Sequence, residues 1–303
     1  MAGQVGASKD GLRRLGRGLS EAEFRERFGS ETACRKALIE LRWCLGLTCP
    51  SCGHRGFCEL QGRKVHPCHR CKKQLPLTAG TVFQGTKLPL TVWFLAIYHL
   101  TRSKGGISSI ELGRRLGVKQ PTAWLMKPKL MQAMLLREAG RSKLAAGRIE
   151  VDDADLGGER PGGKRGRGSP GKTPFVVAVE TTPERKPKRL RLTVVKGLRK
   201  KEVEKLAKRD FAVGSNILGD GLSCWGAVAT AGCAPCPRRT GSGRQAAKWA
   251  PFKGVNTVLS NIKTALAGTC HPVSPAHAQR YLTSFAPAAP SGAACCAVGS
   301  GVS

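Results

Sequence analysis

Four cysteines in two short turns constrain this chain more than any other feature. Cys49, Cys52, Cys68 and Cys71 read C-P-S-C, fifteen residues, then C-H-R-C. A Cys-x-x-Cys turn carries two thiolates on one side of a tight loop, and two such turns facing each other complete a tetrahedron around Zn²⁺. The alternatives are a disulfide pair or a redox dithiol. Paired turns in a chain whose first residues lack the apolar core of a secretion signal favour zinc, which needs reduced thiolates and therefore a cytosolic setting. Arg63, Lys64, Arg70, Lys72 and Lys73 lie between and just after the turns. The expected ribbon, residues 44–75, is thus a small metal-stapled module with a basic face.

Charge points the same way. Lys and Arg outnumber Asp and Glu by 51 to 20, a net charge of +31. An excess this large favours a polyanion partner and salt-dependent binding, with nucleic acid first among the choices. At 303 residues the chain has room for about two domains beside small modules. No stretch reaches the ~20 apolar residues of a membrane span, so no membrane partner is expected.

Helical spacing of apolar residues over 19–43 predicts two short helices leading into the ribbon. Leu88 to Leu100 predicts another, with Trp93, Phe94, Ile97 and Tyr98 as core rather than a stacking platform for bases. Ser108 or Ser109 begins a helix through Leu116, Gly117 turns the chain, and Gln120 or Pro121 opens the next helix. Such a pair reads as a helix-turn-helix or as an ordinary helical hairpin. Pro128 is expected to kink or end the second helix, because it removes a hydrogen bond.

From Arg148 the pattern turns to strands: RIEVDDADL, TPFVVAVE and RLRLTVV, then a charged helix from Lys200 to Lys208. A short strand NILGD follows, then helices over GLSCWGAVATAG and NTVLSNIKTALAG. This alternation predicts an α/β layer fold. The insert ERPGGKRGRGSPGK is a basic loop. Its Gly166, Gly171 and Lys172, with Thr173 just after it, satisfy the phosphate-loop pattern, but a β-run follows where that loop requires a helix. Nucleotide hydrolysis is rejected on that ground. Cys233 and Cys236 form one further Cys-x-x-Cys without a partner turn, and His66 and His69 flank a ribbon whose ligand shell four cysteines already fill.

Carboxylates are scarce, so their clusters carry weight. Asp152, Asp153 and Asp155 end the first predicted strand, and Asp220 is the only acidic residue from Phe211 onward. Strand ends are where α/β folds hold ligands. Asp152 and Asp220 could share a divalent cation such as Mg²⁺, or serve only as turn residues. Asn256 and Lys263 are seven residues apart on a predicted helix and share a face. By spacing alone they are a helix N-cap and a solvated cation.

Four stretches together resemble the zinc-ribbon transposases of bacterial insertion sequences: LRWCLGLTCPSCG, LTAGTVFQGTKLPLTVWFLAIYHL, VDDADLGGERPGGKRGRGSPGKTPFVVAVE and FKGVNTVLSNIKTALAGTCHPVSPAHAQRYL. The chain is most similar to the group with an Asp-Asp-Asn-Lys site and an ISXO2-like transposase domain, over roughly residues 19–285. The resemblance implies a multidomain α/β protein. An N-terminal helical lead-in (1–43) and the zinc ribbon (44–75) precede a helix-turn-helix region (76–140). A ribonuclease-H-like α/β catalytic domain with a mixed sheet follows (146–285), with strand order 3-2-1-4-5 and the first and fourth strands adjacent. Residues 286–303 are an atypical tail without assigned structure. Asp152 and Asp220 become the catalytic carboxylates and metal ligands, Asn256 takes the third place and Lys263 the fourth. The implied chemistry is Mg²⁺- or Mn²⁺-dependent cleavage and strand transfer on double-stranded DNA, with two ions about 4 Å apart. Terminal inverted repeats are the binding sites, a homo-oligomer pairs the ends, and the bacterial cytosol is the location.

The chain departs from the family pattern at Asp155, where an aromatic is usual, at Pro128, and past Thr283–Phe285, after which the aromatic and Arg-rich continuation is replaced by a stretch without charge. These departures keep a second possibility in view, a catalytically inactive remnant or a zinc-ribbon DNA-binding regulator.

Overall fold

The computed structural model describes residues 19–43, 46–58, 65–103, 105–157, 171–238, 250–270 and 273–286. The basic insert up to residue 170 and the tail from residue 287 lie outside the described residues. The chain divides into two compact units, one formed by residues up to 102 with 109–137, the other by 103–108 with 138–287.

The first unit opens with α1 (Glu21–Phe28). Ser20 accepts the Glu23 N–H, and the Glu23 carboxylate accepts the Ser20 N–H in return, a reciprocal cap that satisfies two donors at the helix start. The next helices are α2 (Glu31–Arg42) and α3 (Leu90–Arg102). Glu31 of α2 accepts the Leu90 N–H at 2.7 Å and so caps α3. Phe24 stacks 4.6 Å from Tyr98 and Phe28 lies 5.5 Å from Phe94. Trp93 and Phe94 are buried and Ile97 and Tyr98 half-buried, so the aromatics of α3 are packing residues.

Between α2 and α3, β1 (Val65–Pro67) and β2 (Gln74–Pro76) pair antiparallel. The Arg42 guanidinium donates to the Pro76 carbonyl at 2.9 Å, tying this hairpin to α2. Beyond α3 come α4 (Ser109–Leu116) and α5 (Gln120–Ala139), joined by three residues with Gly117 at φ 67°. Pro128 lies inside α5 without ending it. Losing one backbone donor at Pro128 is offset by the burial of Ala123, Met126, Leu130 and Met131 on the same helix.

The second unit is built on a five-stranded sheet in the order β5-β4-β3-β6-β7. Its strands are β3 (Arg148–Leu156), β4 (Thr173–Thr181), β5 (Pro187–Val194), β6 (Asn216–Gly219) and β7 (Ala234–Pro237). β4 is antiparallel to β3 and β5, while β6 is parallel to both β3 and β7. Counted from β3, the order is 3-2-1-4-5, with first and fourth strands adjacent. β4 begins directly after Lys172, so no helix follows the phosphate-loop-like residues.

Both faces of the sheet are covered. On one face, Ile149, Val151, Val176, Ala178 and Ile217 pack against α6 (Lys200–Asp210) and a 3₁₀ segment (Ser223–Ala231). On the other, Phe175, Val177, Val179 and Leu218 pack against α7 (Lys253–Ala265) and α8 (Pro275–Ser284). Burial on two sides explains why FVVAV in β4 reads as an unbroken apolar run. Gln279 of α8 accepts the Val194 N–H and donates to the Leu192 carbonyl, both at 2.7 Å. Cys233 joins the first apolar cluster and Cys236 packs against the second, so this Cys-x-x-Cys is split between the faces and forms no dithiol site.

Candidate metal centres and active site

Two groups of metal-competent side chains stand out among the described residues, one in each unit. In the first unit the thiols of Cys49, Cys52, Cys68 and Cys71 lie within 4.8 Å of one another. Cys49 Sγ is 3.5 Å from Cys71 Sγ, and Cys52 Sγ is 3.6 Å from Cys68 Sγ. The two turns are built alike. The Gly53 N–H donates to the Cys49 carbonyl at 2.9 Å, and the Lys72 N–H to the Cys68 carbonyl at 3.0 Å. Gly53 and Lys72 follow the second cysteine of each turn with φ of 68° and 60°. That left-handed residue turns each loop back, and glycine adopts it without strain.

Burial pushes the Cys49 thiol up, but the N–H groups of Ser51 and Cys52 and the neighbouring thiols outweigh it and hold it at about 6. Cys68 is held low by the N–H groups of Cys71 and Arg70 against the same burial. At Cys49 and Cys68 amide donors thus favour the thiolate, whereas at Cys52 the His54 N–H is outweighed by burial and the neighbouring thiols, which push the thiol up. Four cysteines in one group suit a soft divalent metal. His66 is buried with its ring 5.3 Å from Trp43, edge-on, and lies outside the thiol group.

In the second unit the carboxylates of Asp152, Asp153 and Asp220 lie within 4.8 Å of one another, all half-buried. The sheet creates this meeting. β3 and β6 run parallel with Arg148 beside Asn216 and Glu150 beside Leu218, and the same register carried two residues further brings Asp152 level with Asp220. Gly219, just before Asp220, has no room for a side chain: a Cβ there would stand 3.0 Å from Trp225 Cδ1 and 3.3 Å from Val151 Cγ2. Asp220 Oδ1 accepts the Leu222 N–H at 3.3 Å, and Asp152 Oδ1 accepts the Asp153 N–H at 2.9 Å. Asp220 thus takes part in turn chemistry and in the carboxylate group at once. Three acidic groups this close repel each other unless a cation lies between them, and their hard oxygen donors suit Mg²⁺ or Mn²⁺.

Asn256 and Lys263 lie on α7. The N-cap of this helix is Phe252, not Asn256, so the capping role that spacing allows does not apply. Val255, Leu259 and Ile262 form the buried stripe. Asn256 and Lys263 each follow a stripe residue, which sets both along one edge of it, Asn256 half-buried and Lys263 exposed.

One side chain that sequence reasoning passed over fixes the start of α7. Glu150, on β3 two residues before Asp152, is fully buried. Its Oε2 accepts the Val255 N–H at 3.0 Å, while Arg148 pairs with its Oε1 at 3.4 Å and also donates to the Pro251 carbonyl at 2.6 Å. A carboxylate at a helix N-terminus satisfies an orphan donor and the local dipole. Gly254 permits the contact, since a Cβ there would lie 2.8 Å from Glu150 Oε2. The available signal was a buried-strand position occupied by Glu, but its partner lies 105 residues away.

Comparison with known proteins places this combination. Residues 29–74 match the transposase zinc-ribbon domain family, and residues 144–286 match a transposase domain family. Both matches are thus to transposase domain families, the cysteine ribbon lying ahead of the α/β domain. The second family is that of the ISXO2-like transposase domain, to which the α/β segment of this chain is similar. The ribbon match begins before α2, so it takes in that helix as well as the two turns. An uncharacterized protein in transposable element ISH50 of Halobacterium salinarum is 29% identical over 129 residues, 42% of each chain. No described helix is long and apolar enough to cross a membrane.

Proposed function

We propose that this chain is a DNA transposase that binds the terminal inverted repeats of an insertion sequence and performs divalent-metal-dependent strand cleavage and strand transfer. The observation that carries the proposal is the meeting of Asp152 and Asp220 on adjacent parallel strands inside a segment of the ISXO2-like family. The 3-2-1-4-5 strand order supports a ribonuclease-H-like catalytic domain. The helix pair α4–α5 and the charge of +31 support a helix-turn-helix partner for duplex DNA. The thiol cluster is read as a structural Zn²⁺ site.

Divalent cations bound at the carboxylates, Mg²⁺ or Mn²⁺, supply charge neutralisation at a phosphate and lower the pKa of an attacking water. Asp152, within β3, and Asp220, just past the end of β6, hold that positive charge. Asn256, on α7, would offer a neutral oxygen and add no further repulsion. Lys263, exposed on the same helix, meets a DNA phosphate. Water attacks the phosphorus at the transposon end, the P–O3′ bond breaks, and a 3′-hydroxyl leaves with the proton. That hydroxyl then attacks a target phosphodiester in line, forming a new P–O3′ bond as the old one breaks. Because two ends are joined to one target, the working species is a homo-oligomer.

The test is a cleavage and joining assay on duplexes from both flanks of the gene with Mg²⁺ or Mn²⁺, comparing the parent chain with Asp220→Asn. Metal-dependent nicking and joining that the substitution abolishes, in a variant that keeps its circular dichroism and DNA affinity, is the expected result. DNA binding without nicking by the parent would overturn the catalytic proposal and leave a DNA-binding regulator or remnant.

A further inference from the structure

Resting on the DNA-binding function just proposed, a second assignment comes from the outer face of α5. Four large apolar side chains are exposed on this helix pair, Ile110 at 55%, Trp124 at 57%, Leu125 at 59% and Leu136 at 45%, of which Trp124 and Leu125 are adjacent. They do not belong to the core between the helices, which is closed without them. Leu112, Leu116, Ala123 and Met126 are buried there. Gly113 lets the helices cross tightly, since a Cβ on it would stand 3.0 Å from the Val118 carbonyl oxygen and 3.6 Å from Ala123 Cβ. Gln120 Nε2 donates to Ser109 Oγ at 3.0 Å and pins the start of α5 to α4. With the inner face packed and the turn fixed, Trp124 and Leu125 are held outward from the first two turns of a rigid helix.

Their surroundings specify the partner. From Leu112 to Arg137 the chain has no acidic residue and six basic ones, Arg114, Arg115, Lys119, Lys127, Lys129 and Arg137. Arg114, Lys119 and Lys129 are exposed like the apolar pair. A protein interface centred on Trp and Leu tends to shed lysine. A DNA interface needs this mixture, with cations for the phosphates and a few side chains for base edges. The first turns of the second helix in such a pair are the part that reaches base edges. Leu125 has no polar atom, and Trp124 has one donor and no acceptor. The feature of a major-groove edge that rewards apolar contact is the thymine C5-methyl group.

We propose that Trp124 and Leu125 read thymine methyl groups in the major groove of the end DNA. The experiment replaces each thymine of a flank duplex singly by deoxyuridine, which deletes the methyl and keeps the base pair, and measures competition binding. One or two neighbouring positions are expected to lose about fourfold in affinity per methyl. Trp124→Ala should weaken binding to the thymine duplex and erase the difference at one of these positions, and Leu125→Gln should do so at the other. Both residues are exposed, so neither change removes a packed side chain, and the deoxyuridine arm alters only the DNA. Specific binding that ignores every deoxyuridine, or a deoxyuridine effect that survives both substitutions, would overturn the assignment. So would a smaller sedimenting species for Trp124→Ala with DNA affinity unchanged, which would make the patch a self-association surface. A chain that binds no flank duplex would overturn the DNA-binding function as well.

Discussion

The cysteine cluster and the aspartate cluster are both candidate metal centres, yet they are assembled in opposite ways. The thiols come from two turns within 23 consecutive residues, Cys49 to Cys71, beside a hairpin of only two three-residue strands. The carboxylates come from strands whose aspartates are 68 positions apart, in a sheet with apolar clusters on both faces. A two-stranded hairpin is marginal by itself in water, so an ion held by the four thiols would give the first centre its shape. The second sits on an architecture that stands without an ion. On the proposed function, the first centre's metal serves folding and the second's chemistry.

The sharpest way to break this contrast is at Asp220. Asp220→Asn is expected to lower cleavage by roughly a thousandfold or more, while thermal unfolding of the α/β unit hardly moves. A large stability loss in that variant would mean that the carboxylate group holds the fold after all. Next in size is removal of the ribbon metal. Structural zinc contributes roughly 10 kcal/mol or more of apparent binding energy to small modules. Cys52→Ser, or a strong zinc chelator, should therefore expose the amides of residues 46–58 and 65–76 to hydrogen exchange and reduce DNA affinity. Amides of β3, β4 and β6 should stay protected, and their simultaneous exchange would refute the independence of the two centres.

A third change tests how α7 is set against β3. Gly254→Ala puts a methyl against Glu150 Oε2, and overpacking of this kind costs about 1–3 kcal/mol. Cleavage should fall with DNA binding unchanged. Serine at this position should behave like alanine, because the added Cβ, not polarity, is at fault.

The smallest effect concerns His99, on α3 of the first unit. Burial holds its pKa below the ordinary histidine value, with the Arg115 charge acting in the same sense. The unfolded chain then binds a proton more readily than the folded one, so stability is full above the unfolded value of about 6.5 and declines as pH falls below it. Urea midpoints of this unit between pH 7 and 5 should show the decline, and His99→Gln should flatten it. A midpoint that rises toward pH 5 would reverse the sign.

What was legible in the sequence follows the same division between local and distant causes. The cysteine turns, the ends of β3 and the α4–α5 hairpin each rest on neighbours in sequence, and spacing located them. β7 was missed, because Pro235 and Pro237 argue against a strand, and it forms only as a four-residue edge beside β6. Pro128 pointed to a helix break that packing on the buried face of α5 overrides. Nothing local marked Glu150 as the anchor of α7. The roles proposed for Asn256 and Lys263 came from resemblance, since a helix alone makes them a cap and a surface cation.

The contact of Gln279 with β5 has one more consequence. β5 is the last strand on its side of the sheet, and an open strand border is a template on which other chains can pair and grow. The Gln279 amide presents one acceptor and one donor to Val194 and Leu192, the pair of groups that a neighbouring strand would offer. A single side chain thus impersonates an extra strand and closes the border. Gln279→Leu should reopen it, and the defect would surface as fibrous or amorphous precipitation rather than as lost cutting.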